Sequence, residues 1–124
     1  MLQVGPLKLK PQFLCGDERA FGPGRAALLQ AIQDQGSISA AARTLGMSYR
    51  YTWLMVSSMN RCFQEKLVET SAGAGRASGA RLTAAGAAIL SAYRSFEKAI
   101  GAAVAKDPGF QAIAAQLRDA PADG

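Results

Sequence analysis

The spacing of apolar residues along the chain predicts a mainly α protein with a small β component. In five segments apolar residues recur every three or four positions, which is the pattern of an amphipathic helix. In shorter segments apolar and polar residues alternate, as they do in a strand with one buried face. The predicted helices cover residues 25–35, 38–45, 48–63, 84–105 and 110–117, and the predicted strands or short hairpins lie at 7–15, 67–70 and 80–83.

The second and third predicted helices are separated by a very short turn. Ser37 is a suitable N-cap for the second helix, and Gly46 supplies the left-handed residue that ends it. Ser48 is the N-cap of the third helix. A short helix, a three-residue turn that contains glycine and a second helix form the helix-turn-helix arrangement. The sequence therefore predicts a helix-turn-helix whose recognition helix covers residues 48–63.

A glycine- and alanine-rich loop lies between the two strands that follow the recognition helix. It covers residues 71–79, and Arg76 is its only charged residue. A flexible basic loop between paired strands at this position is typical of a wing. We therefore expect a winged helix-turn-helix domain over residues 1–83.

The long helix that follows Thr83 has an apolar stripe. Its apolar residues follow one another at spacings of four, three and four, which is the seam of a coiled coil. The stripe could also be part of the core of a single chain, but three helices upstream already supply a core, so we favour a homodimer. The predicted seam residues are Ile89, Tyr93, Phe96 and Ile100. We expect residues 84–118 to form a dimerisation helix with a short C-terminal helix, and residues 119–124 to form a flexible tail.

Length and composition narrow the class of protein. The chain has 124 residues, which suits a single domain, and no apolar run approaches the roughly 18 residues of a membrane span. Its first residues lack a basic segment followed by an apolar one, so we expect a cytoplasmic bacterial protein without membrane contact.

The distribution of charge points to a polyanionic partner. The net charge is +5, and residues 35–64 contain Arg43, Arg50 and Arg61 but no acid. Residues 70–96 also contain three arginines and no acid. Segments of one charge sign suggest nucleic acid, although a solvated basic face remains the alternative.

The composition gives no sign of catalysis. Histidine is absent, which removes the commonest general base and the commonest zinc ligand. Cys15 and Cys62 are far apart in sequence and have no metal or redox spacing, so they are expected to be reduced, partly buried thiols. We expect no catalytic site, no metal and no cofactor, and hence not an enzyme.

Several short motifs follow one another along the chain. They are GSISAAA at 36–42, LGMSYR at 45–50, Trp53, MN at 59–60, LV at 67–68, the glycine-rich loop and LTAAG at 82–86. Together they resemble the N-terminal DNA-binding domain of ModE-type molybdate-responsive repressors over residues 7–100. More loosely, they are similar to the winged-helix domain of LysR-type regulators.

The resemblance implies a winged helix-turn-helix, dimerisation through the long helix and binding to an inverted-repeat operator. In ModE-type proteins a separate C-terminal pair of small β-barrel domains holds the oxyanion, and this sequence ends before such a module. Molybdate sensing is therefore not expected of it. We expect either constitutive binding or a signal from a separate sensor or effector-binding partner.

The candidate DNA-binding residues are those that the motif places near a duplex. Arg50 could bind guanine with two hydrogen bonds, and serines at helix starts could contact phosphates. The alternatives are that Ser37 and Ser48 are only caps, that Arg50 is a solvated charge and that Arg76 lies on a mobile surface loop. The candidates are Ser37, Ser39, Ser48, Tyr49, Arg50, Ser57, Arg61, Arg76 and Arg81.

Two hypotheses of function follow. The first is a dimeric, sequence-specific transcription regulator that binds double-stranded DNA. The second is a winged-helix module that binds another protein and no DNA, which would use Tyr49 and Tyr51 as exposed aromatic residues. The pattern favours packing between elements for Trp53 and Tyr51. Leu54 could contact a thymine methyl group or pack under the wing, and we favour packing.

Overall fold

The computed structural model describes residues 1–71 and 79–123, and it has the predicted mainly α fold with small antiparallel sheets. This is a winged helix-turn-helix with a long C-terminal helix, so the predicted fold class is confirmed. The strands are β1 (Leu2–Val4), β2 (Leu7–Leu9), β3 (Phe13–Cys15), β4 (Glu18–Phe21), β5 (Val68–Ser71) and β6 (Gly79–Leu82). The helices are α1 (Pro23–Gln35), α2 (Ile38–Leu45), α3 (Tyr49–Cys62), α4 (Ala84–Val104) and α5 (Pro108–Gln116).

Two helices begin two residues earlier than their apolar spacing predicts. Helix α1 begins at Pro23 and α5 at Pro108, and in both the proline occupies the first turn. Proline is favoured there because its fixed φ is already helical and its missing N–H would have no partner inside the helix. The Asp107 side chain caps α5 by accepting a hydrogen bond of 2.9 Å from the Phe110 backbone N–H.

The N-terminal residues form two hairpins where the pattern predicted one strand or hairpin. Strand β1 pairs with β2, with Val4 opposite Leu7, and β3 pairs with β4, with Cys15 opposite Glu18. Gly5 and Gly16 occupy the two turns with positive φ, the backbone region that glycine enters without steric cost. The β3–β4 hairpin contributes Phe21 to the core, where the side chain is almost completely buried.

The core lies between α1, α2, α3, β4, the wing strands and α4. Helix α1 buries the face that its spacing predicts, and the buried face of α3 belongs to the same hydrophobic cluster. Burial of such side chains is the main favourable contribution to folding, at roughly 1.5–3 kcal/mol each. The largest fully buried side chains are Phe21, Leu28, Leu29, Ile32, Met59, Leu67, Val56 and Thr52.

The first turn of α4 is anchored on the segment that leads into β5. Thr83 donates hydrogen bonds from its backbone N–H to the Leu67 carbonyl at 2.9 Å and from its hydroxyl to the Lys66 carbonyl at 2.6 Å. A Cβ on the buried Gly86 would overlap the Leu67 carbonyl oxygen, so only glycine permits this approach. The wing strands and the long helix are therefore held together.

Within residues 1–71 and 79–123, no helix is both long and apolar enough to cross a lipid bilayer.

Candidate nucleic-acid interface

The turn between α2 and α3 is built by local hydrogen bonds. The Ser37 hydroxyl accepts from the Ala40 backbone N–H at 3.1 Å and begins α2. Gly46 has a left-handed φ of 67° and ends α2, and the Met47 N–H donates to the Ala42 carbonyl at 2.9 Å. These contacts determine the direction in which the chain enters α3.

The two glycines that end these helices have the same backbone conformation. The left-handed φ is 76° at Gly36, which ends α1, and 67° at Gly46, which ends α2. Glycine adopts such φ values readily because it has no Cβ. The predicted ends of both helices at these glycines are therefore confirmed.

Helix α3 begins with an exposed turn that carries no acidic residue. The Ser48 hydroxyl caps it by accepting from the Tyr51 backbone N–H at 3.0 Å, and the buried Thr52 hydroxyl donates to the Ser48 carbonyl at 2.8 Å. Ser48, Tyr49 and Arg50 are all exposed. The first N–H groups of a helix have no partner inside it and carry partial positive charge, so this turn suits an anion.

One face of α3 is open along its whole length. Arg50, Leu54, Ser57 and Arg61 follow one another at spacings of four, three and four, and all four are exposed. The opposite face of α3 is buried in the core and attaches the helix to the rest of the domain. The structure thus brings three of the predicted DNA-binding residues, Arg50, Ser57 and Arg61, onto one surface, which we call the α3 face.

Two packing predictions for α3 are wrong. Tyr51 is 52% exposed and is not packed between elements, and Leu54 is 56% exposed and is not covered by the wing strands. Trp53 does pack against the core, as predicted, and its ring meets that of Tyr49 edge-on at 6.1 Å. The difference arises because Tyr51 and Leu54 lie outside the buried face of α3, and their apolar character alone gave no sign of this exposure.

Arg50 and Arg61 differ in their electrostatic surroundings. In the described part of the chain Arg50 forms no ion pair, whereas Arg61 lies 3.1 Å from the Glu18 carboxylate and 2.7 Å from the Ser57 hydroxyl. The hydrogen bond from the Cys62 thiol and the neighbouring Arg61 guanidinium together lower the pKa of Glu18. Arg61 is therefore partly neutralised by the protein itself, and Arg50 is the less constrained cation.

The remaining predicted contacts lie beside the α3 face or outside the described residues. Ser39 is half-buried in the first turn of α2, next to the cap Ser37. Arg81 is on β6 and pairs with Glu69 of β5 at 3.0 Å, with most of its side chain exposed. The glycine-rich loop prediction concerns residues 71–79, of which 72–78, including Arg76, lie outside the described residues.

Asn60 is a positioning residue that the sequence reasoning did not single out. Its side-chain oxygen accepts hydrogen bonds from the backbone N–H groups of Leu67 at 2.9 Å and Val68 at 3.2 Å, and its amide donates to the Val68 carbonyl at 3.1 Å. Asn60 thereby ties α3 to the start of β5. The available signal was its place in the MN motif of the resemblance and its being the chain's single asparagine.

The predicted seam of α4 is only partly open. Ile89 and Ile100 are half-buried and Phe96 is 38% exposed, but Tyr93 is buried by its own chain. Its hydroxyl donates to the Pro11 carbonyl at 2.8 Å, and its ring lies 5.2 Å from that of Phe21. The seam therefore differs from the prediction at Tyr93, because the β3–β4 hairpin covers this position.

An apolar groove of about 540 Å³ lies between α4 and the β3–β4 hairpin. Phe13 and Phe96 line it, with ring centres 5.0 Å apart, and both are substantially exposed.

In residues 1–71 and 79–123 no group of three cysteine, aspartate or glutamate side chains is placed to hold a metal ion.

Comparison with known proteins places these features in a family. Residues 25–87 match the bacterial regulatory helix-turn-helix proteins of the lysR family. The chain is 42% identical over 80 residues to the molybdenum-pterin-binding protein MopB of Rhodobacter capsulatus, which covers 64% of this chain and 30% of that protein.

Two further relatives carry regulator names. The chain is 41% identical over 77 residues to the transcriptional regulator ModE of Yersinia pestis, covering 61% of this chain and 29% of that protein. It is 37% identical over 71 residues to the DNA-binding transcriptional dual regulator ModE of Escherichia coli (strain K12), covering 57% and 27%. The chain thus spans about 30% of the length of the curated relatives that it matches.

Proposed function

Because this chain belongs to the lysR family of bacterial regulatory helix-turn-helix proteins, we propose that it regulates transcription by binding double-stranded DNA through α3. The observation that carries the proposal is the exposed first turn of α3, where Ser48, Tyr49 and Arg50 precede an open face and no acid is present. A helix of this kind is inserted into the major groove with its N-terminal residues toward the base edges.

Arg50 is the proposed base-reading residue. It is exposed at the start of α3, and its guanidinium can donate two parallel hydrogen bonds to guanine O6 and N7. Such a pair discriminates against other bases by about 1–3 kcal/mol. Leu54, one turn further along the same face, presents an exposed apolar side chain that can contact a thymine methyl group.

The other candidates would contact the phosphate backbone. Ser37 and Ser39 begin the helix that crosses the backbone in this motif, and Ser57 and Arg61 continue the α3 face. Arg81, at the base of the wing, is a candidate for an adjacent phosphate or for the minor groove, together with Arg76. These contacts position the protein and contribute the salt-dependent part of the affinity.

We further propose that two copies associate through α4. Ile89, Phe96 and Ile100 leave apolar surface at least partly open, and Phe13 of the hairpin extends it, whereas Tyr93 supports the surface from within. A two-fold dimer would present two α3 helices to an inverted repeat, with half-sites about 34 Å apart, one turn of DNA, or a multiple of this. On this proposal residues 84–118 form the dimerisation unit.

DNA binding is the activity that we assign to the segment shared with the relatives. Two of them are named for molybdenum-pterin binding, but the chain spans only about 30% of their length. The molybdenum-pterin binding for which those relatives are named is therefore not assigned to this chain.

The test combines sequence selection with charge-matched variants. Selection from random duplex should yield a palindrome, and Arg50→Ala should weaken binding to it roughly 5- to 150-fold, the equivalent of 1–3 kcal/mol, with less effect on random DNA. Arg118→Ala, which removes the same charge from an exposed position after α5, is the control.

Two results would contradict the proposal. If Arg50→Ala and Arg118→Ala bind alike, α3 does not read the DNA. If binding to any duplex is weak and insensitive to salt, the protein-binding hypothesis is favoured, since phosphate contacts impose a log–log salt slope of roughly −0.9 for each phosphate neutralised.

A further inference from the structure

The fold brings together two cysteines that are 47 positions apart in the sequence (62 minus 15). Cys15 ends β3 and Cys62 ends α3, and both line the apolar groove. Cys62 is half-buried as expected, but Cys15 is exposed, which corrects the prediction that both thiols are partly buried. Cys15 is close enough to be one of the groups that raise the pKa of the Cys62 thiol.

Glu18 holds the Cys62 thiol in this position. The Cys62 S–H donates to the Glu18 carboxylate, with 3.2 Å between sulfur and oxygen, and Glu18 lies directly opposite Cys15 in the hairpin. One turn earlier on α3, the buried Ser58 hydroxyl donates to the Arg19 carbonyl at 3.4 Å. The last two turns of α3 are thus attached to β4, and these contacts place both cysteines along the same groove.

We propose that Cys15 and Cys62 form a dithiol redox site, which is converted to an intramolecular disulfide by exchange with a low-molecular-weight disulfide. This inference stands on the β3–β4 hairpin and the end of α3, and it does not depend on the proposed DNA binding.

The exchange proceeds in two steps. The Cys15 thiolate attacks one sulfur of the small disulfide, whose S–S bond breaks and releases one small thiolate, leaving a mixed disulfide on Cys15. The deprotonated Cys62 sulfur then attacks the Cys15 sulfur and releases the second small thiolate. Both small thiolates take up the protons that the two cysteines lost, so two protein thiols are oxidised and one disulfide is reduced to two thiols.

Exposure and ionisation assign the two roles. Cys15 is accessible to an incoming disulfide, whereas Cys62 is half-buried beside Glu18. Burial, followed by the hydrogen bond to Glu18, raises the pKa of Cys62 to about 11. Because the thiolate is the nucleophile, Cys62 is a poor first attacker and serves as the resolving residue.

The experiment is a redox titration of the full chain in glutathione buffers. Samples are quenched with acid and analysed by intact mass, which separates the dithiol, the mixed disulfide and the internal disulfide. The same titration is performed in concentrated urea, where the fold no longer holds the thiols together. We expect an internal disulfide whose equilibrium constant is about tenfold or more larger in the folded chain than in urea.

Single-cysteine variants provide the controls. Cys15→Ser and Cys62→Ser, each verified as folded by circular dichroism, should accumulate only mixed disulfides with glutathione. The proposal is overturned if the folded wild-type chain carries two independent mixed disulfides, forms disulfide-linked dimers instead, or has the same equilibrium constant with and without urea. Loss of DNA binding in a separate assay would overturn the proposed function and leave this result unchanged.

Discussion

Replacing Asn60 by alanine should loosen the attachment of the wing to the recognition helix. The Asn60 side chain makes three hydrogen bonds to the backbone of Leu67 and Val68, at 2.9, 3.2 and 3.1 Å. Leu67 and Val68 are almost completely buried, so water has little access to the groups that the substitution would leave without partners. The hydrogen bonds also join α3 to the start of β5, so they help to hold the wing strands against the recognition helix.

The magnitude follows from the number and burial of these bonds. A hydrogen bond contributes about 0.5–1.5 kcal/mol net, and an unsatisfied buried group costs about 1–3 kcal/mol. The three hydrogen bonds to the backbone of Leu67 and Val68 therefore predict a loss of roughly 2–4 kcal/mol in the free energy of unfolding for Asn60→Ala. This is a large share of the roughly 5–15 kcal/mol that stabilises a typical domain.

Urea denaturation followed by circular dichroism measures this loss. Protein concentration is held constant, because association would otherwise shift the midpoint. Gln64→Ala is the control, since it also removes a side-chain amide but from an exposed position just after α3. A change below about 0.5 kcal/mol for Asn60→Ala, or one equal to that of Gln64→Ala, would refute the reasoning, because ordinary surface substitutions fall in that range.

Three further predictions concern other contacts. Gly86→Ala inserts a methyl group against a backbone carbonyl and should lower the free energy of unfolding by about 1–3 kcal/mol or prevent folding, as measured in urea. Glu18→Gln should release Arg61, tighten binding to random duplex and steepen the salt slope by up to roughly 0.9, unlike Glu65→Gln. Burial raises the pKa of Tyr93 above 10.0, so its contribution to stability is full below pH 10 and is lost as pH rises through the folded-state pKa. Tyr93→Phe should flatten this alkaline decline in thermal unfolding scans; an unchanged decline contradicts the assignment.

The local architecture could be predicted from the sequence because its causes lie within a few residues. Ser37, Ser48 and Thr83 cap the helices that follow them, and Gly36 and Gly46 end helices where the pattern predicts. Capping and left-handed termination depend on the chemistry of one residue and its neighbours. Helices α1 and α5 begin earlier than predicted, at Pro23 and Pro108, because the spacing of apolar residues gives no information about a first turn that packs little.

The candidate interface could be predicted only in part. Arg50, Ser57 and Arg61 share an exposed face because a helix repeats every 3.6 residues, and this period is visible in the sequence. The ion pair of Arg61 with Glu18 joins residues 43 positions apart, and no local rule anticipates it. The same holds for Asn60, whose partners lie beyond the end of its helix.

The sequence by itself determined the helices, their caps and the order of elements, since these follow from short-range periodicity and backbone preferences. Only the tertiary structure decided which apolar residues are covered: the β3–β4 hairpin buries Tyr93 but leaves Phe96 exposed, and α3 turns Leu54 outward. It also placed Cys15 and Cys62 along one groove. The physical reason is that burial and long-range pairing depend on how elements pack, and many packings are compatible with one pattern of apolar and polar residues.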